Sequence, residues 1–409
     1  GAAAARGAGE GRRLRPPVRG VEELVASLDA AVSEIAGQRG GRGRYVVWRH
    51  GGPGAGWGNR FRGMTSSLTL ALVTKRRFLI DHDDFFEAFD DPSAPGASLN
   101  YRALAGQLRA SKETFLPYTS PAYSSPINLL QRQSGSRALR LSEELSCGAQ
   151  LGEALRSKED VLVYQCGCSF ELSVLSSPDA RVRGALERLF GSLREDVLVE
   201  VMVRYLTRRP RRALVENAGS VLQSWRRGAY DGFAMVQDRQ WADVKGKDRG
   251  DKEKNTDRPH LNCTFKRLQE YRATLPGSQR LLIAVTSDSQ AYARQLVQAF
   301  APLGDVRVNA LFTDNAISYA ASRTPLASRQ FVVDWYLLGE APFVVCTGST
   351  YCISARARAG FGNDGAFPFP SERRTYRQGG SFCYGQPIDN SDRFAVSTLS
   401  DPDMGRVFW

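Results

Sequence analysis

Read for period, the first regular stretch of the chain begins at Val21. Val21, Leu24, Val25, Leu28, Val32 and Ile35 recur at helical spacing, and Glu22 and Glu23 fall in the first turn, where carboxylates suit the positive end of the helix dipole. This predicts an amphipathic helix that stops at "GQRGGRG". From Tyr45 the pattern becomes a short apolar run, "YVVW", a loop holding Gly51, Gly52, Gly54, Gly56 and Gly58, a helix-like segment and a second apolar run, "RFLID". Strand, loop, helix, strand is the start of a right-handed βαβ unit. Residues from about 90 to 230 are mixed and irregular, with proline and serine at "YTSPAYSSP" and an apolar run at "DVLVYQC", and read as the less regular part of a first domain. Beyond residue 231 the alternation is cleaner. "FAMVQ", "LLIAVTSD", "DVRVNALF" and "PFVVCT" read as strands, and "SQAYARQLVQAF", "SRQFVVDWYLLGEA" and "STYCISARARA" as helices. Apolar strands separated by amphipathic helices mean a parallel sheet covered on both faces, a Rossmann-like half. Between its first two strands "DVKGKDRGDKEKNTDRPH" has almost no apolar residue and is expected to be a mobile surface loop. No internal repeat is evident.

Composition narrows the partner. The 409 residues, 42% of them hydrophobic, exceed one ordinary core and suit two domains. Lys and Arg number 55 against 43 Asp and Glu, so the net charge of +12 calls for an anionic partner. A nucleic-acid module with a dense basic stripe and interleaved aromatics is not found, so nucleic acid is not the expected partner; a phosphorylated metabolite accounts for the excess equally well. The seven cysteines are scattered, with no CxxC pair and no histidine cluster at zinc spacing, so no metal is expected. The sequon Asn262-Cys263-Thr264 suits a secreted chain. No run approaches the roughly 20 apolar residues that cross a bilayer, and the first 20 residues, "GAAAARGAGEGRRLRPPVRG", read as a flexible basic stem.

The glycine loop excludes two familiar nucleotide motifs. A GxGxxG reading from Gly52 and Gly54 fails because position 57 is Trp, and no Gly-Lys-Ser/Thr follows to make a phosphate-binding P-loop. Two readings remain. The glycines bring backbone close to a ligand or a neighbouring segment, or they only permit a tight turn, with Asn59 capping the helix and Arg60 at the surface.

At these residues a resemblance appears. "GWGNR" followed by a helix and "RRFLID" resembles the N-terminal signature of the plant cell-wall fucosyltransferases. "FTDNAISYAASRTPLASRQFVVDWYLLGEAPFVVCTGSTYCISARARAG", Phe312 to Gly360, is similar to the donor-binding end of the alpha-1,6-fucosyltransferases and the related rhizobial nodulation enzyme. The resemblance implies a GT-B-like α/β fold of two Rossmann-type domains facing a cleft, with GDP-fucose as donor substrate held mainly by the C-terminal one. It also implies inverting transfer to a glycan or glycoprotein acceptor, with no metal or other cofactor. The corresponding division is 1–40 for the stem and helix, 41–230 for an acceptor-side domain, 231–385 for the GDP-sugar domain and 386–409 for a tail. Relatives in eukaryotes are Golgi proteins, so the expected place is the Golgi lumen, with the native membrane anchor lying outside this chain.

The same resemblance assigns residues. Arg239, after the strand "FAMVQD", matches an arginine that clamps the diphosphate, and its other reading is a surface loop arginine. Gln237 stands where the family has His, and Gln240 where many members have a second Arg, which bears on donor identity. Asp334 matches an acidic residue that binds the nucleoside; otherwise it is a helix-surface Asp. Asp288 matches an acidic position near the donor, or makes an Asx turn. Ser349, Thr350 and Tyr351 begin a helix after "VVCTG", where hydroxyls and backbone N–H groups suit a phosphate, or Ser349 simply caps it. Asn59 and Arg60 would face the cleft from the other domain, and His50 is more often structural than catalytic. A base for the acceptor hydroxyl falls among Asp243, Asp248, Asp251 and Glu253, with no choice between them. Two further readings keep the fold: a different nucleotide-sugar donor, or a non-catalytic homologue that binds a glycan or protein.

Overall fold

The computed structural model describes residues 20–38, 44–49, 57–93, 97–104, 147–156, 161–164, 170–175, 177, 179–191, 195–226, 228–238, 259–277, 279–287, 290–309, 325–346 and 350–359. Two parallel sheets organise them. The first holds β1 (Tyr45–Arg49), β2 (Arg77–Asp81) and β3 (Val161–Tyr164) in the order β2-β1-β3. The second holds β4 (Gly232–Asp238), β5 (Leu281–Ser287), β6 (Asp305–Val308) and β7 (Phe343–Cys346) in the order β6-β5-β4-β7. Every pairing is parallel. The runs read as strands hold strands: β1, β2, β5 and β7 are apolar and buried along most of their length, as a parallel strand covered on both faces requires, whereas β6 at the sheet edge is partly exposed.

Twelve helices lie among the described residues. In the first half these are α1 (Val21–Gly37), α2 (Trp57–Thr74), α3 (Asp83–Ala88), α4 (Cys147–Arg156), α5 (Phe170–Leu175), α6 (Ala180–Phe190), α7 (Glu195–Thr207) and α8 (Arg212–Trp225). The second half adds α9 (Pro259–Ala273), α10 (Gln290–Phe300), α11 (Pro325–Glu340) and α12 (Thr350–Ala359). The region read as irregular is therefore largely helical where it is described. Pro259 and His260, read as the end of a surface loop, open α9, where proline fits because the first helical N–H has no partner to lose. The rest of that loop lies outside the described residues.

Alternation along the second sheet sorts its core. Ala234, Val236, Ile283 and Val285 join the cluster of Leu268 on α9 and Tyr292, Leu296 and Phe300 on α10. The intervening Phe233, Met235, Leu282 and Ala284 join the other cluster, with Val332, Trp335 and Leu338 of α11 and Ala355 of α12. That second cluster continues without a break into the first half. α12 packs on α2 and α7, and α11 packs on α8 and α3. Phe61 of α2 stacks on Trp335 of α11, with centroids 4.4 Å apart and planes at 10°. The two sheets are distinct, but they share one apolar core.

α2 is enclosed on several sides, by β1, β2, α5, α6, α7 and α12. Its small polar residues are correspondingly buried: Ser66 donates to Glu171 on α5 at 2.8 Å. Gly63 lies against the nitrogen edge of the Trp48 indole, and a Cβ there would overlap Nε1.

Candidate functional site

In an open parallel sheet a ligand site forms outside the carboxyl ends of the strands where the winding direction reverses. In the second sheet that point lies between β4 and β7, since β5 and β6 run out to one side of β4 and β7 returns to the other. Gln237 of β4 pairs with Cys346 of β7, and Gln237 also pairs with Thr286 of β5. Because Val285 pairs with Val308, Asn309 continues the same row one residue beyond β6. Asn309, Thr286, Gln237 and Cys346 thus line one carboxyl edge, and each is nearly inaccessible to solvent. Arg239 follows Asp238 at the end of β4, and Ser349 precedes the first residue of α12. Arg239, Asp288, Ser349, His50 and the four candidate bases lie outside the described residues. What the structure brings together is the two pieces of chain from which Arg239 and Ser349 emerge. Thr350 opens α12, and Cys346 is disulfide-bonded to Cys352 in its first turn, so strand exit and helix start are joined covalently.

Behind this edge lies a buried polar network. Asp334, 2% exposed, accepts from Asn309 Nδ2 at 2.7 Å through Oδ1 and from Thr286 Oγ1 at 3.4 Å through Oδ2. Burial pushes its pKa up to about 6, and the two hydrogen bonds only partly oppose this. Asp334 is therefore not a helix-surface residue. Each of its carboxylate oxygens accepts from one protein donor, which leaves further lone pairs on both. The Tyr351 hydroxyl donates to the Phe331 carbonyl at 2.6 Å and so ties α12 to α11. Burial, with the nearby Asp334 charge, holds that phenol well above its ordinary range.

The carboxyl edge of the first sheet carries a second charged constellation. Arg49 and Asp81 are register partners at the ends of β1 and β2, and Arg49 Nε donates to Asp81 Oδ2 at 2.8 Å. Arg102 Nε approaches Asp81 Oδ1 at 3.7 Å, and its guanidinium also pairs with Asp83. Burial raises the Asp81 pKa, with the Arg49 hydrogen bond opposing it. His82 stacks on Trp48, with centroids 5.6 Å apart. Arg60 is buried, not at the surface: its Nη1 donates to Asp84 Oδ2 at 3.0 Å and its guanidinium lies 5.4 Å from the Trp57 ring centroid. That pairing fastens α3 to α2 and leaves less of the cation for an outside anion. α2 begins at Trp57, so Asn59 lies inside the first turn and is not the cap. Arg49, Asp81 and Arg102 were missed by sequence reasoning. The signal was the run "RFLIDHDD", in which a buried strand ends on a carboxylate.

Among the described residues no three His, Cys, Asp or Glu side chains converge as metal ligands. None of the described helices is long and apolar enough to cross a membrane.

No family model and no curated protein matches the chain. Among solved structures, a mutant of Arabidopsis thaliana FUT1 in complex with GDP matches with a TM-score of 0.51 at 17% identity, over 83% of this chain and 77% of that one. The chain shares its fold with FUT1. NodZ alpha-1,6-fucosyltransferase soaked with GDP-fucose gives 0.45 at 15% identity, over 77% of this chain and 92% of NodZ. POFUT1 in complex with GDP-fucose gives 0.36 at 11% identity, over 79% and 97%. The α/β, GT-B-like expectation agrees with the FUT1 fold and with the two parallel sheets.

Proposed function

We propose that this chain is an inverting, metal-independent glycosyltransferase that moves fucose from GDP-fucose to a hydroxyl of a glycan or glycoprotein. The observation that carries the reading is the pairing of Gln237 with Cys346. It sets the exit toward Arg239 beside the strand that leads into α12, at the reversal point where this class of sheet takes its ligand. The FUT1 structure that shares the fold is a complex with GDP. Fucose as the sugar, inversion and independence of metal come from the sequence resemblance.

In this reaction the acceptor oxygen forms a bond to the anomeric carbon as the bond from that carbon to the β-phosphate oxygen breaks. GDP leaves with the bonding pair, and the acceptor proton passes to a carboxylate or to water. Negative charge grows on the departing diphosphate. A guanidinium at Arg239 and the N–H groups at the start of α12 would stabilise it, since a helix start carries about half a positive charge. The resemblance also favours the Golgi lumen, which co-localisation of the full-length protein with a Golgi marker would check.

Titration calorimetry with GDP, GDP-fucose, UDP and UDP-sugars, followed by transfer from radiolabelled GDP-fucose onto an acceptor array, tests the reading. GDP and GDP-fucose are expected to bind, and Arg239→Ala is expected to lower transfer by about 10²-fold or more with an unchanged melting temperature. A response to UDP compounds alone would give the fold a different donor. Silence toward every nucleotide would leave a non-catalytic binding protein.

A further inference from the structure

We infer that Arg102 and Asp83, backed by the buried Asp81, form a binding subsite for neighbouring hydroxyls of an uncharged glycan acceptor at the carboxyl edge of the first sheet. This deepens the function proposed above and rests on it for what the glycan receives.

The first sheet has a ligand edge of its own. Its order β2-β1-β3 reverses winding at β1, the condition under which an open parallel sheet takes a ligand beyond its strand ends. Arg49 and Asp81 end β1 and β2 there. The Asp81 side chain is fully buried, yet its Oδ1 accepts no hydrogen bond among the described residues, and Arg102 Nε stands off at 3.7 Å. A buried carboxylate oxygen without a donor costs free energy, and a binding edge is where such a cost is retained. Arg102 and Asp83 are the accessible members, ion-paired with side chains 52% and 55% exposed.

The position of Arg102 is built. Asp91 accepts from Ser93 N and Oγ, from Ser98 Oγ and from Leu99 N, four donors on one carboxylate that close the turn after α3. The Leu99 carbonyl in turn accepts from Ile80 N at 2.7 Å, which sets Asn100 beside β2. Asn100 Oδ1 then caps the helical turn 101–104, accepting from the N–H of Arg102 at 3.0 Å and of Ala103 at 3.2 Å. Carboxylate, bridge and cap together bring Arg102 back over the end of β2. An arginine that only solvated the surface would need none of them.

Charge and donor pattern select the ligand. Among the described residues Arg49, Arg60 and Arg102 stand against Asp81, Asp83 and Asp84, three cations against three anions, so the edge offers no net attraction for an anionic sugar. A guanidinium only donates and a carboxylate only accepts, so side by side they match two neighbouring hydroxyls, one accepting and one donating. Asp83 also opens α3, and α3 packs on α11, the helix of the donor half that carries Asp334. The subsite therefore borders the half that holds the donor edge, as an acceptor site must.

The test takes the full chain and its Arg102→Ala and Asp83→Asn variants to an array of neutral, sialylated and sulfated oligosaccharides with radiolabelled GDP-fucose. The parent should transfer to neutral oligosaccharides. For the best of these, KM should rise about tenfold in both variants, with kcat and the GDP dissociation constant within about twofold of the parent. In a monodeoxy series of that oligosaccharide, one position should cost the parent about tenfold and Arg102→Ala nothing further, and an adjacent one should stand in the same relation to Asp83→Asn. Unchanged KM in both variants, GDP affinity that falls with them, or transfer confined to sialylated or sulfated acceptors would overturn the inference. If Arg102→Ala does not fold, Arg102→Lys, which keeps the charge without the planar fork, takes its place with the same expectations. If the parent transfers to no acceptor, that failure belongs to the function proposed above, and direct binding of the labelled chain to the same array decides the subsite. Retention of the parent on neutral oligosaccharides, weakened about tenfold in Arg102→Ala, would uphold it; no retention on them would overturn it.

Discussion

At the scale of single residues, the informative groups are charged side chains that the fold has taken out of water. Asp334 is the clearest. Its pKa of about 6 in the folded chain lies above the ordinary 3.8, so the folded state holds its proton more tightly than the unfolded state does. The sign follows directly. Between those two values the native state binds more protons, so stability falls as pH rises, is fully present below pH 4 and is lost above pH 6. At about 1.4 kcal/mol per pH unit, the loss is on the order of 3 kcal/mol. Asp334→Asn removes the titration. Tyr351, the other ionisable group facing Asp334, stays neutral because burial keeps its pKa raised. Urea midpoints measured from pH 4 to 8 should therefore show the parent chain losing stability relative to Asp334→Asn through pH 4–6. Parallel curves would mean that the carboxylate is better solvated than this packing indicates. None of this was legible beforehand, because Asn309 and Thr286 lie 25 and 48 residues away in sequence. The burial of Arg60 was hidden for the same reason, since Asp84 reaches it across 24 residues.

At the scale of elements, the sequence spoke clearly where burial and propensity agree. "YVVW", "RFLID", "FAMVQ" and "LLIAVTSD" are apolar runs, and each holds a strand of a parallel sheet. The helices of the middle region were hidden where the two conflict. α7 reads "EDVLVEVMVRYLT", with Val197, Val199, Val201 and Val203 at alternate positions. Alternating β-branched residues favour a strand locally. The helix wins because Val197, Leu198, Val201, Met202 and Tyr205 together bury a helical face against α1, α2 and α12. The disulfide between Cys346 and Cys352 was likewise not readable from spacing. The two residues meet, Cα atoms 6.0 Å apart, only because the chain turns from β7 into α12 between them. This crosslink should matter for binding as well as for stability. Loop-closure reasoning for so short a ring gives about 2 kcal/mol, and an unpinned turn would also have to be ordered each time a phosphate binds. Cys346→Ser with Cys352→Ser, or reduction of the parent chain, is expected to lower the melting temperature and to weaken GDP about tenfold. Unaltered GDP affinity after complete reduction would separate the turn from the donor site.

At the scale of the whole molecule, the two sheets suggest two independent units, yet the packing argues for one cooperative body. α11 lies between β6 and β7 of the second sheet in sequence, and it carries adjacent residues that reach in different directions. Asp334 holds the exits of β5 and β6, while Trp335 stacks on Phe61 and meets Phe89 edge-on, 5.9 Å between centroids. Trp335 is fully buried, and the apolar cluster around it runs from α1 through α2 and α7 to the second sheet. Unfolding either half would expose the face the other half covers, which costs about 25 cal/mol for each Å² of apolar surface. Near-UV circular dichroism and hydrogen exchange of the β1 and β5 segments should therefore report a single transition. GDP at 100 times its dissociation constant should raise both probes together, by about 2.7 kcal/mol. Trp335→Ala removes the central ring and its hydrogen bond to Ser354, a change of about 3–5 kcal/mol for a buried aromatic. That loss falls on the junction itself, so the variant should melt in two steps, with GDP shifting only the step that includes β4 and β7. A variant that still melts once, with both probes moved equally by GDP, would show that α12 on α2 and α7 is enough to couple the halves without the aromatic wedge.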